Sequence, residues 1–129
     1  MLKVIDGVVY IRRGDDEVLD VNVGIKVDEE FVPVELGETE TLTLTVRKTP
    51  EEDSPVVFFS TSAPGSTRIV INHADTAKAE YGKYSADVQM LTAEGLRKTV
   101  WPVVDEENIP SASASNMKNF VILPEVTMT

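Results

Sequence analysis

The sequence predicts an all-β fold, an antiparallel β-sandwich of about seven to eight short strands. Branched residues are abundant, with 19 Val, 12 Thr and 7 Ile among 129 residues. Their stiff side chains favour an extended backbone and pack well on a pleated sheet. Apolar residues recur mainly with a period of two, and turn residues interrupt this pattern at intervals of about 8 to 12 residues. Helical periodicity is almost absent.

The expected strands follow from this alternation. Segment 8–12 is the first, and segment 17–27 is expected to form one long strand with alternate apolar residues on one face. Segment 31–34 is expected at an edge, because Pro33 cannot donate to a ladder. Segment 40–48 (ETLTLTVRK) alternates most clearly, with leucine and valine facing inward. Further strands are expected at 56–60, 67–72, 84–90 and 96–104, with one helical turn at 74–80.

The composition changes after the predicted sandwich, which occupies residues 1–104. Residues 105–119 are rich in serine, alanine and acids and are expected to form a linker. Residues 120–129 then begin with an apolar segment, which we expect to form a strand docked on the parent domain's edge or on a neighbouring subunit. The candidate assembly contacts are Phe120, Val121, Ile122 and Leu123.

The net charge of −10 argues against nucleic acid or an anionic membrane surface as a partner, because both attract Lys and Arg. The sequence has no cysteine, so disulfides and thiolate metal sites are excluded. It also lacks an apolar run long enough to span a membrane, and no N-terminal signal peptide is expected. The chain is therefore expected to be made in a cytoplasm.

The acidic residues form several short groups that are typical of solvated turns. Calcium binding is the alternative, although no EF-hand spacing is present. One group lies within Arg13-Gly14-Asp15, the tripeptide of integrin ligands. We expect Gly14-Asp15 to form the bend between two strands, with Arg13 and Asp15 as solvated flanks, and integrin recognition remains the alternative.

No pattern of catalytic residues is apparent. The single histidine, His73, lies near Asp75, which is expected to cap the helical turn by accepting backbone N–H bonds. Neither a nucleophile elbow nor a glycine-rich phosphate loop is present. Paired carboxylates for glycoside hydrolysis stay open because acids are abundant, although aromatic residues are few. We expect no enzyme, and we assign no catalytic, cofactor-binding or metal-binding residue; no small-molecule ligand is expected.

Gly82 and Tyr84 form a G-x-Y motif at the start of a predicted strand. Immunoglobulin-like domains use this motif as a tyrosine corner, whose hydroxyl bonds back to the preceding loop. Glu80 and Ala86 stand here at the Asp and Cys positions of the longer motif. We therefore interpret Gly82 and Tyr84 as a structural corner, and the fold as an immunoglobulin-like sandwich.

The order of these features resembles the N-terminal domain of phage baseplate upper proteins and related tail proteins. The shared features begin with a basic turn that contains Gly-Asp, a strand that contains Val-Arg, and an Asp-Thr segment. A G-x-Y motif follows, and then a hairpin whose second strand ends with an aromatic residue and a proline. The resemblance spans residues 11–104. The matching residues are Arg13, Gly14, Asp15, Val46, Arg47, Asp75, Thr76, Gly82, Tyr84, Gly95, Trp101 and Pro102.

This resemblance implies a non-catalytic assembly module of a phage or prophage tail or baseplate. Its expected partners are copies of itself and other tail or baseplate proteins, and its expected location is the virion, or a prophage product in the bacterial cytoplasm. Full members of the family carry receptor-binding contacts in further C-terminal regions, whereas this sequence continues for only about 25 residues beyond the match. The alternative is an adhesion module that binds carbohydrate or a receptor through the sandwich loops.

Overall fold

A computed structural model describes residues 2–5, 7–28, 30–49, 51, 53–101 and 118–124. These residues contain eleven β-strands and one short helix. In chain order the elements are β1 (Lys3–Ile5), β2 (Val8–Arg12), β3 (Glu17–Asp20), β4 (Gly24–Val27), β5 (Glu30–Pro33), β6 (Thr41–Arg47), β7 (Val56–Thr61), β8 (Arg68–Ile71), α1 (His73–Ala77), β9 (Gly82–Leu91), β10 (Arg97–Trp101) and β11 (Phe120–Leu123).

The strands form one large sheet and two small ones. The large sheet has the order β1-β2-β11-β9-β6-β7, and β10 also pairs with β9. β3 and β8 form a second sheet, and β4 and β5 form a hairpin. The predicted all-β sandwich is confirmed. The strands are more numerous than predicted, and one pair, β2 with β11, is parallel rather than antiparallel.

The core lies between the large sheet and the β3–β8 pair. β6 shows how the sequence builds it, because Leu42, Leu44 and Val46 are fully buried while the intervening threonines face outward. Ile69 and Ile71 of β8 bury their side chains in the same core. Strict alternation therefore separates a packed inner face from a polar outer face, as the sequence predicts.

The predicted long strand at 17–27 is wrong, because two strands occupy this segment. β3 pairs with β8, whereas β4 pairs with β5 in a separate hairpin. Val21 and Val23 lie between the two strands and remain buried, so the apolar alternation continues although the backbone changes partner. The period of the apolar residues indicates which side chains are buried. It does not indicate where one strand ends and the next, with a different partner, begins.

β11 lies in the interior of the large sheet, and not at its edge. It runs parallel to β2 over four residue pairs and antiparallel to β9 over three. Lys118 and Asn119, the last two residues of the predicted linker 105–119, already belong to the folded body. The remainder of the predicted linker, 105–117, and the predicted tail at 125–129 lie outside the described residues.

Candidate functional site

Gly82 and Tyr84 form the corner that the sequence predicts. The Tyr84 hydroxyl donates to the Glu80 carbonyl oxygen at 2.5 Å, and the ring is buried. Gly82 has a φ of 144°, a backbone conformation that side chains with a Cβ rarely adopt. Burial raises the pKa of the Tyr84 hydroxyl, and the nearby Glu80 charge raises it further. The corner thus fixes the approach of the chain from α1 into β9.

The Arg13-Gly14-Asp15 turn packs against helix α1. Gly14 has the expected positive φ, 85°, and its N–H donates to the buried Thr76 hydroxyl at 2.8 Å. Arg13 is not the solvated flank that we expected. Its Nη2 and Nε both donate to the Ala77 carbonyl oxygen, at 2.7 and 3.2 Å.

The guanidinium of Arg13 also lies 5.4 Å from the centre of the Tyr81 ring, within cation–π range. An adhesive tripeptide must present its arginine to a partner. Here the arginine side chain instead hydrogen-bonds the carbonyl oxygen at the end of α1 and lies over the Tyr81 ring. The geometry therefore favours a structural turn over integrin recognition.

His73 and Asp16 join the same turn to the start of α1. The Asp16 carboxylate accepts from the His73 backbone N–H at 2.6 Å and contacts the ring Nδ1 at 2.9 Å. These two bonds, the backbone bond first, hold the pKa of Asp16 below its ordinary value. Asp75 caps the helix as predicted, because its Oδ2 accepts from the Asn72 N–H at 3.0 Å. The histidine thus belongs to a capping arrangement.

The four candidate assembly contacts lie in β11. Phe120 and Ile122 face inward and are fully buried, whereas Val121 and Leu123 are half-buried. Phe120 meets Phe58 of β7 edge to face, with ring centres 5.8 Å apart. Within this chain, Phe120 and Ile122 are therefore core residues of the sandwich.

Asn119 completes a row of hydrogen bonds along one side of β9. One side of β9 pairs with β6. On its opposite side, β10 pairs with residues 88–91 and β11 pairs with residues 82–84. Between them, Asn119 Nδ2 donates to the Ala86 carbonyl at 2.9 Å, and Asn119 Oδ1 accepts from the Ala86 N–H at 2.7 Å. A side-chain amide thus replaces the peptide group of a missing strand residue.

Sequence reasoning missed this role of Asn119. The sequence places this residue in the predicted polar linker, yet it is buried and adjoins an apolar strand. Its own carbonyl accepts from the Val9 N–H at 2.8 Å, so it also joins β11 to β2. A buried carboxamide must find partners for both its donor and its acceptor, and the backbone of Ala86 supplies them.

The outer face of strands β10, β9, β6 and β7 carries a shallow groove of about 510 Å³. Phe59 is its most exposed apolar residue, with 66% of its surface accessible. Hydroxyl, amide and guanidinium groups line the same groove. They belong to Thr41, Thr43, Thr45, Arg47, Thr61, Gln89 and Arg97.

Asp87 lies on the same outer face, directly opposite Thr45 of β6. Burial raises the pKa of its carboxyl, and the positive charge of Arg47 acts in the opposite direction. The face therefore combines one aromatic ring with hydrogen-bonding groups of both charges. Such a surface suits a polar ligand with apolar patches.

No metal centre emerges among the residues that the structure describes. No group of three or more His, Asp or Glu side chains there is arranged to hold an ion. In the same part of the chain, no helix has the length and apolar character needed to cross a membrane. The features of the described residues that bear on function are the corner at Tyr84, the strand β11 between β2 and β9, the terminal strand β1 of the large sheet and the outer groove.

Comparison with known proteins does not identify a family for this chain. No protein-family model matches the chain. No curated protein matches its sequence. The proposals below therefore depend on the contacts, burial and charge of the chain itself.

Proposed function

We propose that the chain is a non-catalytic assembly module, a component of a phage or prophage tail or baseplate. The observation that supports assembly is the edge strand β1. Among the described residues it pairs only with β2, so one side of its backbone is available to another chain. Val4 and Ile5 on this strand are each 53% exposed. An edge with unpaired backbone and exposed aliphatic side chains suits strand addition by a neighbouring subunit.

Light scattering over a wide range of protein concentration tests the assembly proposal. The wild-type chain is expected to associate as its concentration rises. The double variant Val4→Lys/Ile5→Lys places charges on the edge and is expected to weaken association at least about tenfold, because like charges would meet across the contact. Val70→Lys is the matched control, since Val70 is an exposed valine on β8 of the other sheet. A wild-type chain that stays monomeric throughout contradicts the proposal, as does an equal effect of the control.

The phage or prophage assignment has its own test, independent of association. Genes that encode tail-tube, tape-measure or baseplate proteins are expected beside the gene for this chain. An antibody against the chain is expected to label isolated tail particles. A gene neighbourhood without virion genes, together with unlabelled particles, would contradict the assignment while leaving assembly intact.

The outer groove supports a second candidate function, binding of carbohydrate. Phe59 offers an exposed ring on which the apolar face of a sugar can stack, and the surrounding threonines and Gln89 offer hydrogen bonds to hydroxyl groups. This candidate site would lie on a sheet face, whereas the alternative predicted from the sequence uses the sandwich loops. A glycan array with wild type and Phe59→Ala tests it, with Val70→Ala as control. Binding that Phe59→Ala retains would contradict this candidate.

A further inference from the structure

β11 fills the position between β2 and β9, here called the slot, and more residues join it to β10 than the distance between the two strands requires. β10 ends with Trp101 opposite Val88, and β11 begins with Phe120 opposite Tyr84 on the same side of β9. Only three positions of β9 separate these partners, a distance of about 13 Å along a strand. Three residues would join the two strands directly. The chain instead uses eighteen, and sixteen of them, 102–117, precede the folded Lys118.

The segment 102–117, here called the tether, is much longer than the gap requires. Fully extended, sixteen residues reach about 55 Å. A compact chain of this length has a radius of gyration of about 14 Å, so a neighbouring copy in contact lies well within that reach. Covalent geometry thus allows β11 to enter either its own slot or the slot of an adjacent subunit.

The slot itself supplies all the contacts that β11 needs. Its walls are the backbones of β2 and β9, its floor is the core around Phe58, and its end is the peptide of Ala86 that holds Asn119. Without a strand in this position, these backbone groups and the core would be open to water. The same hydrogen bonds and the same burial arise whichever copy provides the strand, so exchange costs little beyond the entropy of association.

We propose that, within an assembly, β11 of one copy occupies the slot between β2 and β9 of a second copy. This inference rests on the proposed assembly function and names β11 as a second segment, besides the edge of β1, that would join its subunits. A tether of sixteen residues holds its own strand at an effective concentration of about millimolar. Exchange is therefore favoured when copies are crowded to a comparable concentration, as they are in a particle. A dilute chain keeps its own strand.

Two single-cysteine variants can detect the exchange, because the chain has no cysteine of its own. Val121 of β11 lies directly opposite Lys83 of β9, and neither is part of the core. Cross-strand pairs of this kind bring two Cβ atoms close enough for a disulfide. Val121→Cys and Lys83→Cys chains are mixed, unfolded in urea, refolded together at about 1 mM, and oxidised. The expected product is a disulfide heterodimer whose yield falls on dilution.

Two controls make this result specific. Arg97→Cys replaces Lys83→Cys in a parallel mixture, since Arg97 lies on β10 opposite Leu91, away from the β11 slot. The heterodimer of Val121→Cys with Arg97→Cys reports disulfides formed by random collision. Its yield is expected to be no more than about one tenth of the yield with Lys83→Cys. The double variant Lys83→Cys/Val121→Cys, oxidised when dilute, is expected to form the bond within one chain. That bond verifies that both substitutions permit folding.

Equal heterodimer yields with Lys83→Cys and Arg97→Cys would overturn the exchange. Light scattering of the wild type under the same conditions separates this failure from that of the proposed function. Oligomers without the specific disulfide contradict exchange and leave assembly standing. A chain that is monomeric at every concentration contradicts both proposals.

Discussion

The Tyr84 hydroxyl bond to Glu80 fixes the entry of the chain into β9. Tyr84→Phe keeps the ring and removes this bond, so we expect a loss of about 1 kcal/mol in unfolding free energy. Urea unfolding measures it as a lower midpoint with an unchanged slope. Tyr81→Phe is the control, because the ring near Arg13 remains and Tyr81 is half exposed. Equal losses in both variants would contradict a specific corner.

Asp16 is expected to make the stability of the folded chain depend on pH. Its pKa is lower in the folded state than its ordinary value of 3.8. Its stabilising contribution is therefore full above that ordinary value and is lost as the pH falls through the lower folded value. Asp16→Asn is expected to lower the urea midpoint at about pH 7, and the difference from wild type is expected to shrink towards about pH 3.

Glu94→Gln is the control for the Asp16 variant, because Glu94 is exposed in the turn between β9 and β10. It removes one carboxylate charge at an exposed turn, so the same effect in both variants would point to net charge and not to the bonds with His73. A midpoint difference between Asp16→Asn and wild type that stays constant across the whole pH range would contradict the role of the carboxylate charge. In that case the bonds to His73 would act through geometry alone.

Asn119 must present both an acceptor and a donor to Ala86. Asn119→Asp retains the acceptor but turns a second oxygen towards the Ala86 carbonyl. We expect a loss of about 2 kcal/mol or more near neutral pH, because the second oxygen of a buried carboxylate then faces a carbonyl and has no donor. Acidification is expected to recover part of this loss, since a protonated carboxyl can donate. Urea midpoints at several pH values measure it, and a loss that does not change with pH would contradict the assignment.

At the level of elements, β10 and β11 together form one interrupted strand beside β9. Deleting 102–116 leaves three residues between Trp101 and Phe120, which matches the three positions of β9 between their partners. We expect this variant to fold with a continuous strand and to gain about 1 kcal/mol, because a long loop no longer has to close. It is also expected to give no exchange, since β11 then continues directly from β10.

Deleting 102–117 is the matched control, because it leaves one residue fewer. A shift by one residue would turn Phe120 and Ile122 from the core to the outer face. We therefore expect this variant to lose most of its stability in urea or thermal unfolding. If the two deletion variants were equally stable, β10 and β11 would not form one continuous strand beside β9.

The sequence predicts those parts of the fold that depend on neighbours in the chain. Alternation identifies the two faces of β6, and the G-x-Y motif locates the corner at Tyr84. The division between β3 and β4, the parallel pairing of β11 with β2 and the amide bridge of Asn119 depend on distant segments instead. Alternation is the same for any pairing partner, so local pattern cannot select among them. The same limit applies to Arg13, whose acceptor is sixty-four residues away.

At the scale of the whole molecule, the net charge of −10 acts on every contact between copies. Like charges repel, and the range of this repulsion falls from about 30 Å at 0.01 M salt to about 8 Å at 0.15 M. Association through the apolar edge of β1 and the strand slot is therefore expected to strengthen as salt is raised. Light scattering at fixed protein concentration measures this dependence. Association that weakens with salt would instead indicate ion pairs, such as Arg97 of the outer groove with acidic turns of a neighbour, and would contradict an apolar contact.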